Sequence, residues 1–334
     1  MTRTQIDGAA VSHVLRAGGH HLAWLRSRPW AALAGLLLFC VPVSVAAAPG
    51  PTGKPTVAKS CPGLASGALE AARLARLPQG MALRTASLQI TQQQVTAEIQ
   101  KAPERVRKQL GRNAFFVLEQ LATRRLLLGE ARAWAAKQGL DKGESEDALI
   151  RRYLQTVANR ASVSDEEVGA FYSQNKDMVG GAPLESVRDD LKQYLLGEKQ
   201  QAAVQTHIQR LAERIAAEVD EVWTRQQCRL AMDNPVDKAR RSGKPTLVDF
   251  GATGCRPCDM MTPILASLTK KHTGRINVLF VHVQQEEVLA ARYGVRTIPV
   301  QVFFDKQGKE VFRHEGFFPQ EQIERKLVDM GIGK

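Results

Sequence analysis

The chain has 334 residues, of which 44% are hydrophobic and 24% charged, a balance that suits folded domains and excludes a wholly disordered chain. This length predicts roughly two domains and a leader. The formal net charge of +12 is compatible with nucleic acid or an anionic surface. No basic run is interleaved with aromatic residues, however, so we interpret the charge as a solvated surface and expect no nucleic-acid partner.

The first 47 residues have the pattern of a signal peptide or an N-terminal anchor. Arg26 and Arg28 precede an apolar run from Trp30 to Val41, and small residues follow up to Ala47. A positive flank, an apolar core and a small-residue end are the three parts of a secretory signal. We therefore expect export to the periplasm or cell envelope, with either cleavage after Ala47 or retention as a membrane tether.

Four cysteines follow this segment, and an even number outside the cytosol is compatible with disulfides. Cys255 and Cys258 form a Cys-x-x-Cys tetrapeptide. If these two pair with each other, Cys61 and Cys228 remain as the candidate structural disulfide. The alternative is that Cys61, in a loose Pro- and Gly-containing segment, is free.

The residue pattern divides the remaining chain into a tether and two domains. Residues 48–82 begin with a stretch rich in Pro, Gly and Thr and predict a disordered tether. Residues 83–232 predict an all-α domain, because apolar residues recur there at spacings of three and four. The stretch Ser164–Glu167 is a capping box, and Pro183 suits the first turn of a long helix.

The pattern of residues 233–334 is that of a small α/β domain. Short apolar strands and amphipathic helices alternate there and end with a hairpin and a helix, which favours one mixed sheet flanked by helices. Strands are predicted over residues 246–250, 276–283, 300–304 and 310–313, and helices over 257–271, 285–292 and 320–330.

The Cys-x-x-Cys tetrapeptide follows a predicted strand and opens a predicted helix. The unpaired N–H groups and the positive dipole end of that helix would stabilise a thiolate at Cys255, and Arg256 adds a nearby positive charge. A thiolate is the nucleophile in disulfide exchange, so Cys255 is the predicted nucleophile and Cys258 the resolving thiol. A zinc site would need two more ligands at suitable spacing, and we expect neither a metal nor a cofactor.

Residues 244–334 resemble the thioredoxin family. The resemblance lies in Val248-Asp-Phe-Gly-Ala-Thr-Gly-Cys-Arg-Pro-Cys258, in Tyr293-Gly-Val-Arg-Thr-Ile-Pro299 and in the Gly308 hairpin. It implies a protein-disulfide oxidoreductase in which Asp249 is the buried acid that exchanges a proton with the inner cysteine. It also implies a cis peptide bond before Pro299. The candidate substrate contacts are Arg256, Pro257 and Ile298.

Three positions differ from the usual thioredoxin pattern. Gly251 and Gly254 stand where tryptophans are usual, which predicts a flatter and less apolar surface around Cys255. Phe280 stands in place of the lysine that commonly faces the buried acid. Without that cation, we expect Asp249 to be harder to ionise.

Residues 83–218 resemble, more weakly, the N-terminal chaperone part of SurA-type periplasmic foldases. The resemblance rests on Leu118–Leu128, Val163–Val168 and Phe171–Asn175, and no room for a parvulin isomerase domain follows Asn175. It implies a helical module that holds unfolded polypeptide; a homodimerisation arm and a pure scaffold are the alternatives.

Together these features predict an exported thiol–disulfide oxidoreductase, with reductase or isomerase activity favoured. Its expected partners are unfolded or disulfide-containing envelope proteins, and a membrane electron donor that keeps the cysteines reduced. The alternative function is a periplasmic holding chaperone in which the redox motif is accessory.

Overall fold

The computed structural model describes residues 53–140, 143–174, 179 and 181–332. The predicted signal segment lies outside these described residues. The chain divides into two compact units, whose described parts run from Lys54 to Cys228 and from Arg229 onwards. Within the described residues, no helix is both long enough and apolar enough to cross a membrane.

The first unit is mainly helical, and several of its helices begin at the caps that the sequence offers. Ser164 and Glu167 exchange side-chain-to-backbone hydrogen bonds at the start of α6, as the capping box predicts. The helices are α1 Val57–Ser60, α2 Gln92–Lys101, α3 Glu104–Arg112, α4 Ala114–Lys137, α5 Glu146–Ala158, α6 Asp165–Gln174, α7 Leu184–Arg214 and α8 Glu221–Ala231.

The first unit also contains a small sheet, so the prediction of an all-α domain is wrong. Its strands are β1 Arg73–Ala75, β2 Met81–Arg84, β3 Gln89–Thr91 and β4 Glu218–Asp220, in the order β1-β4-β2-β3. Strands of three or four residues are too short to show the alternation by which a strand is recognised. The parallel partner of β1 is β4, more than 140 residues away in sequence, so no local pattern indicates the pairing.

The predicted tether is folded over its described residues, which corrects the assignment of residues 48–82. Cys61, Leu64 and Leu69 are buried there. The carboxylate of Glu119, itself buried on α4, accepts hydrogen bonds from the backbone N–H groups of Ser66 (3.2 Å) and Leu69 (2.9 Å). Composition alone cannot predict this order, because the carboxylate and the apolar surface that hold the segment come from distant parts of the chain.

The second unit is built on a four-stranded mixed sheet, as the sequence predicts. Strand β5 lies parallel to β6 and antiparallel to β7, and β7 lies antiparallel to β8, giving the order β6-β5-β7-β8. The elements are α9 Pro235–Arg240, β5 Thr246–Gly251, α10 Arg256–Lys271, β6 Asn277–His282, α11 Glu287–Arg292, β7 Val300–Phe304, β8 Glu310–Glu315 and α12 Gln320–Asp329.

The residues of the central strand β5 alternate between two apolar layers. Leu247 packs with Met261 and Leu265 of α10 on one face of the sheet. Val248 and Phe250 pack with residues of α11 and β7 on the opposite face. Because successive strand residues point to opposite faces, Asp249 and Gly251 face the α10 side together with Leu247.

The structure pairs Cys61 with Cys228 in the first unit, across a sequence separation of 167 residues. The double variant Cys61→Ser/Cys228→Ser should lower the free energy of unfolding of this unit, by at most ~5 kcal/mol in the loop-entropy account. Urea unfolding followed by tryptophan fluorescence measures this change, because Trp134 and Trp223, the two tryptophans among the described residues, both belong to the first unit.

Cys255→Ser/Cys258→Ser is the matched control and should leave that fluorescence transition in place. Two freely titrating thiols at Cys61 and Cys228 in the purified oxidised protein would contradict the cross-link.

Candidate active site: a dithiol above a buried carboxyl

The two cysteines of the tetrapeptide lie at the junction of β5 and α10. The chain leaves the sheet after Gly251 and turns through Gly254, whose φ of +76° is a conformation that side chains with a Cβ rarely adopt. Cys255 is the N-cap residue of α10, and Pro257 lies in the first turn, where its missing N–H is not needed. Cys258 follows one turn into the helix.

The two cysteines are joined as a disulfide and differ in their exposure. Cys258 is buried, with 2% of its surface exposed, whereas Cys255 is partly exposed. The exposed sulfur stands at the positive end of a 16-residue helix, beside the exposed side chain of Arg256. If the disulfide were reduced, the helix end and Arg256 would favour a thiolate at Cys255 over one at the buried Cys258.

Asp249 lies on β5, on the face of the sheet that α10 covers, and its side chain is completely buried. Gly251, two residues further along the same face, lies directly beneath the start of α10: a Cβ built on it would stand 3.3 Å from the Cβ of Cys258. The buried acid therefore lies under the helix end that carries the dithiol.

Pro299 and Ile298 reach the same end of the sheet from β7. The Ile298–Pro299 peptide bond is cis. Val300 is in register with Phe250, which places Pro299 at the level of Gly251 and the dithiol. Pro299 is buried, and its carbonyl accepts a hydrogen bond from the N–H of Gly316, while Ile298 is partly exposed.

Comparison with known proteins agrees with this geometry. A family described as "Thioredoxin-like domain" matches residues 232–331. A thioredoxin from Alicyclobacillus acidocaldarius is 34% identical over 98 residues, which cover 29% of this chain and 92% of that protein. The chain belongs to the thioredoxin family.

Two further relatives have a similar level of identity to this chain. A thioredoxin from Staphylococcus saprophyticus is 37% identical over 91 residues, which cover 27% of this chain and 86% of that protein. Thioredoxin Y, a chloroplastic protein of Oryza sativa, is 39% identical over 83 residues, which cover 25% of this chain and 49% of that protein. The family match assigns nothing to the residues before 232.

Of the predicted site residues, the thioredoxin domain brings Asp249, the two tetrapeptide cysteines and Pro299 to one end of its sheet. Arg256, Pro257 and Ile298, the candidate substrate contacts, are exposed or partly exposed at that end. Cys61 and Cys228 belong to the first unit and form no part of this site.

Phe280 changes the surface next to the dithiol of the thioredoxin domain. It is in register with Asp249 on β6, its side chain is 48% exposed, and its ring edge is 2.9 Å from the position of a Cβ on Gly251. The prediction of a less apolar surface is therefore wrong at Gly251, because an aromatic ring from the neighbouring strand occupies the space above it.

Sequence reasoning missed Gln301, which is the hydrogen-bond partner of the buried acid. Its Nε2 donates to Oδ1 of Asp249 over 2.7 Å, and both side chains have 0% exposure. The sequence does contain a signal for this residue. Gln301 is the one polar residue in the strand Val300–Phe304, and a polar side chain buried there without a partner would be costly, so a buried hydrogen-bond partner is indicated.

Burial raises the pKa of Asp249 from 3.8 to about 6, and the hydrogen bond from Gln301 opposes that rise. The folded thioredoxin domain thus binds a proton more tightly than the unfolded chain does. The stability that this proton confers is complete below pH 3.8 and is lost as the pH rises through about 6.

Asp249→Asn should therefore raise the free energy of unfolding of the thioredoxin domain above pH 6. The gain is at most ~3 kcal/mol, which corresponds to the difference between the two pKa values, and it should vanish below pH 4. Peptide-resolved hydrogen exchange in urea, on the oxidised chain from pH 4 to 8, measures this domain through peptides from β5 and β7.

The exposed Asp329→Asn is the matched control and should show no such gain. A stability difference between Asp249→Asn and the unchanged chain that stays constant from pH 4 to 8 would contradict the pKa assignment.

Proposed function

We propose that this protein is an exported oxidoreductase that reduces or rearranges disulfides in proteins of the periplasm or cell envelope. The observation that carries the proposal is the placement of Cys255 and Cys258 at the N-terminus of α10, above the buried carboxyl of Asp249. The signal-like residues 1–47 support the assignment of the compartment.

The reaction proceeds through two exchanges of sulfur partners. The thiolate of Cys255 attacks one sulfur of the substrate disulfide, forms a mixed disulfide and releases the other substrate sulfur as a thiolate. Cys258 then gives up its proton and attacks the sulfur of Cys255. The Cys255–Cys258 bond forms, the bond to the substrate breaks, and two electrons have passed from the dithiol to the substrate.

The direction of electron flow depends on which form of the dithiol predominates. Arg256 stabilises the thiolate, which makes the disulfide more oxidising. Ile298 before Pro299 and the acid at Asp249 are the choices of thioredoxins, and a module for misfolded clients suits the repair of wrong disulfides. We therefore favour a reductase or isomerase, kept reduced by a dithiol electron donor at the membrane.

The full chain with dithiothreitol should reduce insulin, measured by the precipitation of the freed B chain. Cys255→Ser should lose this activity because the attacking sulfur is gone. Pre-reduced Cys258→Ala, freed of dithiothreitol before insulin is added, should accumulate a mixed disulfide between Cys255 and an insulin chain, detected by intact-mass analysis, because no second thiol is then present to resolve it.

Cys61→Ser/Cys228→Ser serves as the control and should retain the dithiol reaction. If Cys255→Ser reduces insulin at the wild-type rate, the proposed chemistry is excluded. If the unchanged chain oxidises a reduced peptide faster than it reduces insulin, an oxidase is favoured.

A second role, as a holder of unfolded clients, is favoured by a groove in the first unit. The groove has a volume of about 340 Å³ and lies between α4 and α5. The ring of Trp134 forms part of its wall and packs against Tyr153, with 6.0 Å between the ring centroids. The remaining lining residues are Gln138, Leu140, Arg152, Gln155, Thr156 and Asn159. An aromatic wall with amide and guanidinium groups around it suits extended polypeptide of varied sequence.

Filling this groove should weaken the holding of clients without affecting the dithiol. Thr156→Trp places a large ring in the groove, whereas Arg151→Trp adds the same ring at an exposed position on the same helix outside the lining. We expect the full chain to suppress aggregation of a chemically denatured client, and Thr156→Trp to do so several-fold less well than Arg151→Trp.

Light scattering during dilution of the denatured client measures both variants, each in the Cys255→Ser background to remove covalent capture. If both variants suppress aggregation equally well, the groove is excluded as the client-binding site. If the full chain does not suppress aggregation at all, a scaffold or a homodimerisation arm remains as the role of the first unit.

A further inference from the structure

The buried acid beneath the dithiol has an uncharged partner. Asp249 on β5 is in register with Gln301 on β7 and with Phe280 on β6. Its Oδ1 accepts the 2.7 Å hydrogen bond from Gln301, and its buried Oδ2 has no hydrogen-bond partner among the described residues. The two oxygens of one carboxyl group are thus placed in different environments.

Among the described residues, the register partners of Asp249 on the two neighbouring strands carry no charge. Phe280 is apolar, and on the far side of Gln301 its register partner His314 is buried against the ring of Phe318. Burial lowers the pKa of His314 to about 4, so its imidazole is neutral at higher pH. The buried side chains that α10 places over this face are Cys258 and the apolar Met261, Leu265 and Leu268. His282 lies one strand away, opposite Gly251.

We propose that Gln301 is a positioning residue that holds Asp249 through Oδ1 and thereby makes Oδ2 the atom that exchanges a proton with the Cys258 thiol. This inference rests on the proposed function and adds to it the group that controls the acid. The amide N–H stabilises the ionised carboxylate where no cation is present.

The proton balance of the second exchange follows from this placement. The S–H bond of Cys258 breaks, its proton goes to Oδ2 of Asp249, and the electron pair left on the sulfur forms the bond to Cys255. The bond between Cys255 and the substrate breaks at the same time, and its electron pair leaves with the substrate sulfur. In the reverse direction, Oδ2 returns the proton to Cys258.

A purely structural role for Gln301 makes a different prediction. If the buried amide only filled space between β5 and β8, an apolar side chain of equal length could replace it without changing the titration of Asp249. If the amide positions the carboxyl, the same replacement must change that titration, because the carboxylate is then buried without this donor.

The decisive measurement is the titration of the Asp249 carboxyl in the oxidised full chain, where the disulfide cysteines do not titrate. Infrared difference spectra across pH report its C=O band, which is identified by its loss in Asp249→Asn. Gln301→Met has nearly the same length and no donor, and should move the midpoint upward from about 6 by about one pH unit.

Three further variants make the result specific. Gln301→Leu should move the midpoint in the same direction, and it serves if Gln301→Met fails to fold by its thermal melt. Phe280→Lys, at an exposed position in register with the acid, should lower the midpoint and shows that the band responds to charge. His282→Gln should leave the midpoint unchanged, which separates Asp249 from the nearby imidazole.

The reduction of insulin is the second readout. The rate of insulin reduction should fall as the pH is lowered, because Asp249 becomes protonated. Gln301→Met should raise the midpoint of this fall by the same amount as it raises the infrared midpoint. If the infrared midpoint of Asp249 is the same in Gln301→Met, in Gln301→Leu and in the unchanged chain, the role proposed for Gln301 is overturned. This holds even if the dithiol reduces insulin. Failure of the unchanged chain to reduce insulin would instead overturn the proposed function, while the infrared titration would still test the role of Gln301.

Discussion

The most demanding physical constraint in the thioredoxin domain is a carboxyl group buried on the central strand of its sheet. Asp249 has no contact with solvent, and its ionised form can exist only if the surrounding side chains replace part of what water supplied. Strand β5 places this carboxyl at the centre of the sheet, helix α10 covers the face on which it lies, and Gln301 of β7 reaches it from the side as a hydrogen-bond donor.

The first unit contains a second buried carboxylate whose environment shows the contrast. Each oxygen of Glu119 accepts a backbone N–H, from Ser66 and from Leu69, and burial raises its pKa. Both oxygens are thus engaged in holding a chain segment in place. Asp249 has one oxygen engaged and one without a hydrogen-bond partner in the part of the chain that the structure describes. The two buried carboxyl groups therefore differ in how many of their oxygens accept a hydrogen bond, and the free oxygen of Asp249 is the basis of the proton transfer that we propose.

Two residues on the neighbouring strands set the surroundings of Asp249. Phe280, at the position where thioredoxins commonly have a lysine, contributes no cation there, and Gln301 provides a neutral hydrogen bond to the same carboxyl. The same phenylalanine ring covers Gly251, where a side chain of the strand itself would otherwise stand. One aromatic residue thereby changes both the electrostatics beneath the dithiol and the surface beside it.

The sequence by itself determined the features that depend on local order. Cys255 and Cys258 mark the start of a helix, because a strand, a glycine turn and a proline in the first turn specify that junction within a dozen residues. Asp249 is indicated by the resemblance to thioredoxins, and its position as a charged residue inside an apolar strand agrees with that assignment.

Only the tertiary structure decided which distant residues meet. The small sheet pairs Arg73–Ala75 with Glu218–Asp220, and the predicted tether is ordered by Glu119, through contacts between segments 50 or more residues apart. Gln301 and Phe280 become partners of Asp249 and Gly251 only through the register of neighbouring strands. Sequence periodicity reports which face a residue occupies along its own strand, whereas register is set by the packing of the whole sheet.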